Sequence, residues 1–239
     1  MRALVFDGPG ALEWREVADP AIIADRDALV RPLAVARCDL DPAIGLGLYP
    51  MPAPFVLGHE MVGELVDVGP AAGDWAVGDR VIVPFQISCG DCEMCHAGLT
   101  NACTSVPPGS AFGLGAHGGV DYGGAVADLV RVPFADHLLL RLPDSISPER
   151  AAGIPDNVSD GYRCVAPGLR RFPGADVLVV GGLAQSVGLY AVAAAVALGA
   201  RRVHYVDQDP ARLFAAAALG ATIENAPYDS ALGDDRFAI

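Results

Sequence analysis

Four cysteines near the middle of the chain have the spacing of a metal site. They fall within fifteen residues, at separations of 3, 3 and 8 positions, and glycines stand among them where a tight loop has to turn. Zinc in closed structural sites prefers four thiolates in a tetrahedron, and short spacings let one loop wrap the ion. The pattern predicts a structural zinc site in the segment 86–105, with the ligands Cys89, Cys92, Cys95 and Cys103.

Two other interpretations of this cysteine cluster are less favoured. Four unrelated buried cysteines would rarely fall so close together, and a zinc ribbon for nucleic acid would not be flanked by acids such as Asp91 and Glu93. The formal net charge is −13, and all 16 basic residues are arginine. Such a charge argues against nucleic acid and anionic membranes as partners. The absence of lysine also excludes chemistry through a lysine Schiff base.

A second candidate site is formed by Cys38 and His59, which stand 21 residues apart and each adjoin a predicted strand. His59 belongs to the segment Gly58-His59-Glu60, where glycine lets the backbone bend toward a cleft. A lone cysteine or histidine is more often a structural residue. Their occurrence together with the cysteine cluster favours metal ligation instead.

The elements that must position these residues change in character along the chain. Up to about residue 145, short apolar runs such as 28–35, 63–69 and 80–84 alternate with glycine and proline, which predicts an all-β, barrel-like unit. From residue 147 onward, the pattern predicts helices near 148–168, 186–199 and 210–219, with strands at 176–181 and 202–206. That alternation is typical of a parallel, doubly wound sheet. We therefore expect an α/β plus β fold with domains at 1–146 and 147–239.

Only two or three strands of such a sheet precede Ile239. A half-built sheet exposes an edge and an apolar face, so we expect either a fragment of a longer chain or a partner that covers the face. The apolar run 177–200 is long enough to span a bilayer, but glycines break it, and we interpret it as a buried strand, a turn and a helix. The N-terminus lacks the pattern of a secretory signal, which together with the cysteine spacing predicts a cytoplasmic protein without disulfides.

These motifs together resemble the zinc-containing medium-chain alcohol dehydrogenase family. The resemblance rests on Cys38 with Gly58-His59-Glu60, on the segment 77–81 (Val-Gly-Asp-Arg-Val), on the cysteine cluster and on the nucleotide-binding pattern, and it covers nearly the whole chain. It implies a GroES-like β-barrel catalytic domain followed by a partial Rossmann domain. The segment 153–162 is similar to the formaldehyde- and threonine-dehydrogenase-like branches.

The resemblance implies that Cys38, His59 and Asp156 are the ligands of a catalytic zinc, with Glu60 close behind as a supporting or alternate ligand. Three protein ligands and one open position are typical of catalytic zinc. An alternative for Asp156 is a helix cap, since a helix is predicted to start nearby. Asp41 and Glu60 are candidates for orienting His59 through its second ring nitrogen, and Asp39 competes for that role.

A nucleotide site is predicted between the strand at 176–181 and the helix that follows. Backbone N–H groups at a glycine turn and helix start can hold a pyrophosphate, and this implicates Gly181, Gly182, Ser186, Val187 and Gly188. The spacing departs from the usual fingerprint, because Gly181 and Gly188 are seven positions apart. Asp207 ends the next strand, where a carboxylate accepts from ribose hydroxyls and repels a 2′-phosphate, which favours NAD over NADP. An alternative for Asp207 is a helix cap, a role for which Asp209 is better placed.

The implied reaction is the transfer of a hydride from an alcohol or polyol to NAD, with two zinc ions per chain and an alcohol or aldehyde as the small-molecule partner. Two positions depart from the family: Leu40 replaces a serine or threonine of the proton relay, and Asp160 replaces a threonine near the nicotinamide. The resemblance further implies a homo-oligomer, a dimer or a tetramer. The alternatives are a truncated, non-catalytic zinc-binding paralogue that cannot hold the cofactor, and a zinc-free quinone reductase-like protein. Cys164 has no metal spacing and is expected to pack in a helix.

Overall fold

The computed structural model of the protein describes residues 1–182 and 184–227. The chain divides into two compact units, and the division falls after Asp156. The boundary expected after residue 146 lies ten residues earlier and stays a prediction about domain organisation. The short helix Pro148–Ala151 packs against strands of the first unit, because its buried Ala151 joins an apolar cluster there.

The first unit is built mainly of short strands. Its elements are β1 (Arg2–Gly8), β2 (Ala11–Glu16), β3 (Ala28–Ala36), α1 (Leu40–Gly45), β4 (Phe55–Val56), β5 (Glu60–Val68), β6 (Arg80–Val83), α2 (Glu93–His96), β7 (Val130–Val132), α3 (Ala135–Leu138), β8 (Leu140–Arg141) and α4 (Pro148–Ala151). A 3₁₀ turn covers Thr100–Ala102, and a wide helical turn covers Ile154–Val158.

Two antiparallel sheets form the barrel-like unit that the strand pattern predicted. One has the order β7-β3-β5-β6-β8, and the other has the order β2-β1-β4. Alternate residues of the central strands point into a core that includes Val30, Met61, Leu65 and Phe112, all fully or almost fully buried. Burial of such large apolar side chains contributes roughly 1.5–3 kcal/mol each, so this core fixes the strands that carry the candidate residues.

The second unit has the alternating helices and strands expected of the start of a Rossmann-like fold. Its elements are α5 (Ser159–Arg171), β9 (Asp176–Val180), α6 (Gln185–Ala197), β10 (Arg202–Asp207), α7 (Pro210–Ala218) and β11 (Thr222–Asn225). The three strands are parallel in the order β11-β10-β9. The buried faces of the helices and strands share one apolar cluster around Tyr205 and Val192.

The helical stretch expected near 148–168 is present but interrupted: α4 ends at Ala151, the wide helical turn Ile154–Val158 follows, and α5 begins at Ser159. Pro155 lies in the wide turn. The expectation that Cys164 packs in a helix was wrong, because this residue is exposed on α5. Among the described residues, we find no helix with the length and apolar character needed to cross a bilayer.

A close backbone approach holds the segment that leads into β5. Gly113 has a positive φ of 65°, and a Cβ at this position would collide with the carbonyl group of Gly58. The same carbonyl accepts a hydrogen bond of 2.7 Å from the amide of Ala125, so it has little freedom to move. The contact with Gly113 and the hydrogen bond from Ala125 therefore both restrain the Gly58–His59 peptide.

We expect Gly113→Ala to lower the free energy of unfolding by about 1–3 kcal/mol more than Gly119→Ala does. Both glycines have a positive φ, but no heavy atom of the described residues lies within 4 Å of a Cβ built on Gly119. The pair of variants therefore separates the collision with Gly58 from the backbone strain that they share. Thermal and denaturant unfolding followed by circular dichroism measures the difference, and equal losses would contradict the close approach.

Candidate metal centres and nucleotide turn

The pairing of β3 with β5 brings Cys38 and His59 together. Ala36 of β3 is paired with Glu60 of β5, and Cys38 lies two residues beyond the end of β3. His59 directly precedes β5. Because the two strands are antiparallel, the end of one adjoins the beginning of the other. Residues 21 positions apart in the sequence therefore meet at one end of the sheet.

Asp156 completes a cluster of four buried side chains, which we call the mixed-ligand cluster. One ligand atom from each residue lies within 4.8 Å of all the others, and the members are Cys38, His59, Glu60 and Asp156. The Nε2 atom of His59 is 3.3 Å from Oδ2 of Asp156, and the same oxygen is 3.7 Å from Sγ of Cys38. The structure thus brings together the three residues expected as ligands and also the fourth, Glu60, that was expected close behind them. Asp156 does not sit at a helix N-cap but within the wide turn Ile154–Val158.

The electrostatics of the mixed-ligand cluster favour a cation at its centre. Burial lowers the pKa of His59, but hydrogen bonds with Asp156 and Cys38 outweigh burial and raise that pKa to about 10. Glu60 is completely buried, and Asp156 is 8% exposed. Buried anions are costly unless a positive charge lies next to them. A sulfur, an imidazole nitrogen and carboxylate oxygens are all donors that zinc accepts, so the residues present fit a divalent zinc ion.

Asp41 is the carboxylate that faces the other nitrogen of the His59 ring. Its Oδ1 atom is 3.6 Å from Nδ1 of His59, and both atoms are buried without a hydrogen-bond partner within normal distance. Its Oδ2 atom accepts a hydrogen bond of 2.9 Å from the amide of Cys38. Burial raises the pKa of Asp41 above its usual value. Asp41 therefore contacts both the backbone of Cys38 and the imidazole ring of His59. Glu60 instead contributes one of the clustered ligand atoms.

Leu40 contributes its backbone and not a side-chain hydroxyl. Its amide donates a hydrogen bond of 3.4 Å to Sγ of Cys38, which helps to hold the sulfur in place. Asp160, which replaces the threonine that the resemblance places near the nicotinamide, belongs to the second unit and forms an ion pair of 3.0 Å with Arg163.

The four cysteines expected to bind a structural zinc form a second compact cluster. One ligand atom from each lies within 4.8 Å of the others. Backbone amides point at the sulfurs, since those of Asp91 and Cys92 donate to Sγ of Cys89 at 3.4 and 3.3 Å. Gly90 and Gly98 adopt positive φ values of 82° and 77°, which only glycine adopts at low cost.

The pKa values of the thiols in this cluster differ widely. Hydrogen bonds from the backbone of Thr104 and Cys95 hold the pKa of Cys92 at about 5, whereas burial raises the pKa of Cys95 to about 11. Neighbouring sulfurs compete for negative charge, because like charges at this distance repel each other. A central divalent cation removes that competition and lets all four sulfurs act as thiolates.

Arg26 links the cysteine cluster to the barrel, a role that the sequence did not indicate. Its guanidinium donates to the carbonyl oxygen of Cys89 at 2.9 Å and to both carboxylate oxygens of Asp136 at 2.7 Å, and it also forms an ion pair with Asp91. It lies 5.2 Å above the ring of Phe134. Arg26 stands 63 positions before Cys89, so no local pattern in the sequence signals this contact.

The residues expected to hold a nucleotide lie where β9 leads into α6. Gly181 directly follows β9, and α6 begins at Gln185 and carries Ser186, Val187 and Gly188 in its first turn. Leu183, between the two, lies outside the described residues. No heavy atom of the described residues lies within 4 Å of a Cβ built on Gly182, so the turn leaves open space beside it.

Asp207 ends β10 as expected, but its carboxylate is already engaged. Arg212 on α7 donates two hydrogen bonds of 2.6 Å to it, and the hydroxyl of Tyr205 donates a third of 2.7 Å. The Arg212 guanidinium holds the pKa of Asp207 well below its usual range. The cap of α7 is Asp209, which accepts from the amides of Ala211 and Arg212.

Comparisons with known proteins agree with this architecture. The alcohol dehydrogenase GroES-like domain family matches residues 24–144, just over half of the chain. A probable zinc-binding alcohol dehydrogenase of Mycobacterium tuberculosis is 37% identical over 93% of this chain and 55% of its own length. A glutathione-independent formaldehyde dehydrogenase of Pseudomonas aeruginosa is 34% identical over 100% of this chain and 62% of its own length.

A solved structure shows the same fold. The alcohol dehydrogenase of Thermus sp. ATN1 superposes with a TM-score of 0.85 at 38% sequence identity, covering 94% of this chain and 63% of that one. The chain thus spans between about half and two thirds of the length of these relatives. The family match, the sequence identities and the shared fold lead to one conclusion: the chain belongs to the zinc-containing medium-chain alcohol dehydrogenase family.

Proposed function

We propose that the protein is a zinc-dependent oxidoreductase that transfers a hydride from an alcohol or polyol to NAD. The observation that carries this proposal is the mixed-ligand cluster, in which four buried donor atoms from three separate stretches of a family barrel lie within 4.8 Å of one another. Relatives named as alcohol, formaldehyde and sorbitol dehydrogenases support the reaction class. They do not define a single substrate.

Cys38, His59 and Asp156 would hold the catalytic zinc. A thiolate and a carboxylate bring two negative charges to a divalent ion, and the imidazole is neutral, so the centre is close to neutral overall. Glu60 lies within the same distance limit and would act as a fourth or exchanging ligand, so that one coordination position can open for substrate. A zinc ion held in this way supplies Lewis acidity, which lowers the pKa of an alcohol oxygen.

Residues around His59 would set the orientation of its ring and the nitrogen that carries its proton. Asp41 faces Nδ1 of His59 at 3.6 Å and would favour the N–H on that nitrogen, so that Nε2 would present its lone pair to the centre. The ring of Phe85 lies 5.9 Å from that of His59 at a steep angle and restricts its rotation. The side chain of Leu40 carries no hydroxyl, so the proton released from an alcohol leaves through another group or through solvent.

In the second unit, the turn after β9 and the start of α6 would hold the pyrophosphate of the dinucleotide. The open space at Gly182 and the amides of Ser186 and Val187 in the first turn of α6 support this role. The amide of Gly188 already donates to the carbonyl of Ala184, so Gly188 stays a predicted contact. Bound NAD would accept the hydride. Asp160 near the start of α5 stays a predicted cofactor contact, and Asp207 a predicted ribose contact. The homo-oligomer and the cytoplasmic location likewise stay predictions.

The cysteine cluster would hold the second zinc in a structural role. Its four sulfurs use all positions of a tetrahedral ion, so no position is left for a substrate. Loss of this ion would release the loop that Arg26 ties to the barrel, and it would lower stability before it affected chemistry.

Metal analysis of the purified protein tests both centres separately. We expect about two zinc ions per chain, falling to about one in His59→Gln and to about one in Cys92→Ser, because each variant removes a ligand from a different cluster. Cys164→Ser is the matched control, since this exposed cysteine belongs to neither cluster. Two zinc ions retained in His59→Gln would contradict the catalytic centre.

The cofactor and reaction proposals are tested by NADH fluorescence and by NAD reduction with a panel of alcohols and polyols. We expect saturable NADH binding and alcohol-dependent absorbance at the NADH band. His59→Gln should lower turnover by at least about a thousandfold, because the Lewis acid is lost, while NADH binding changes by less than about twofold. Two zinc ions without NADH binding would instead support the zinc-binding paralogue that lacks a cofactor.

A further inference from the structure

A cavity of about 420 Å³ lies in the first unit, and none of its lining residues belongs to the mixed-ligand cluster. Its volume is within the range of about 300–1,000 Å³ that is usual for small-molecule sites. Val106, Tyr122 and Phe134 form an apolar part of its wall, and Arg131 of β7 supplies a cation. Val106 and Phe134 also pack against the cysteine cluster, so the cavity adjoins that cluster.

Phe134 lines this cavity in a strained backbone conformation. Its φ of 50° and ψ of 43° are left-handed, and it is the one residue other than glycine with a positive φ in the described part of the chain. Such a conformation is unfavourable for a bulky side chain. Arg26 holds it in place, because its carbonyl accepts from the amide of Ala135 at 2.7 Å and its guanidinium lies over the Phe134 ring. Strain that the surroundings maintain in this way is found at ligand clamps, among other functional sites.

Arg131 brings an incompletely used guanidinium to the cavity. Its Nη1 atom donates a hydrogen bond of 3.2 Å to Oδ2 of Asp27, whereas its Nε and Nη2 atoms donate none to the described residues. Nε and Nη2 form the edge of a guanidinium that can bind a carboxylate through two parallel hydrogen bonds. The hydroxyl of Tyr122 likewise forms no hydrogen bond with the described residues. The cavity thus combines unused donors with an apolar wall.

The other charged groups of the lining are already engaged or exposed. Asp27 is buried and accepts from the amides of residues 23–24, both at 3.0 Å, in addition to Arg131. The guanidinium of Arg26 is paired with two carboxylates. Asp25 is exposed, so solvent screens its charge. Arg131 is therefore the charged group of the lining that has donors left for a ligand.

We propose that this cavity binds a small carboxylate that has an aromatic or branched aliphatic body. The carboxylate pairs with Nε and Nη2 of Arg131 and accepts from the hydroxyl of Tyr122, while the body packs against Val106 and Phe134. A bound ligand also stabilises the cysteine cluster, because it buries the far side of two side chains that pack there. This inference goes beyond the proposed function, since no residue of the lining takes part in the proposed reaction.

Calorimetric titration of the zinc-loaded protein with benzoate, phenylacetate and isovalerate tests the site. We expect at least one of them to bind saturably with a dissociation constant below about 1 mM. The corresponding uncharged amide should bind at least about tenfold more weakly, because it cannot form the charged pair with Arg131.

Three variants locate the binding site. Arg131→Lys keeps a charge opposite Asp27 but removes the flat donor edge, so it should weaken binding at least about tenfold. Ala24→Phe places a ring at an exposed position of the lining and should weaken binding by a similar factor. Arg171→Gln is the matched control and should leave binding unchanged, since this exposed arginine lies on α5 of the second unit.

The outcomes also separate this cavity from the mixed-ligand cluster, where a zinc ion would attract carboxylates. Binding that is lost in His59→Gln and unchanged in Arg131→Lys would assign the probe to that cluster and overturn the inference. Absence of saturable binding of all three carboxylates up to about 10 mM would overturn it as well. This last measurement uses the unaltered protein, so the inference can be refuted even if a variant does not fold.

Discussion

The register between β3 and β5 is the constraint on which the metal chemistry depends. The pairing of Ala36 with Glu60 is the last one between the two strands at this end of the sheet. Cys38 and His59 lie just outside it. A slip of one residue would exchange the two faces of β5 and remove Met61 and Leu65 from the core cluster in which they pack. The buried core therefore enforces the register, and the register enforces the distance between sulfur and imidazole. The close packing of Gly113 against Gly58 adds a second restraint at the same point.

The second constraint is electrostatic. Buried acids and an imidazole within 4.8 Å of one another are stable only around positive charge, and the raised pKa of His59 reflects that demand. A divalent ion at its centre would meet that demand. The same argument applies to the four cysteine sulfurs, which lie within 4.8 Å of one another. One family barrel thus contains two clusters that fit a zinc ion, one of four sulfurs and one of mixed donors.

The cysteine cluster and the change from strands to alternating helices were predictable from the sequence, because both signals are local. Cys38 and His59 needed the family resemblance, since nothing between them signals the strand pairing that joins them. Asp41 faces the second ring nitrogen of His59, and the sequence alone did not separate it from Glu60 and Asp39 because the three acids lie close to the ligands along the chain. The helical stretch predicted near 148–168 is present, but the sequence did not signal the wide turn within it that carries Asp156. The partners of Arg26 and Arg212 were not predictable, because the partners of an arginine depend on tertiary packing.

Anomalous diffraction from crystals of the zinc-loaded protein, measured on both sides of the zinc absorption edge, tests the central claim most directly. Two peaks are predicted in each chain: one among the four cysteine sulfurs, and one within about 2.0–2.3 Å of Sγ of Cys38 and Nε2 of His59 and bonded to a carboxylate oxygen of Asp156. A single peak among the cysteines, with the mixed-ligand cluster free of zinc, would contradict it.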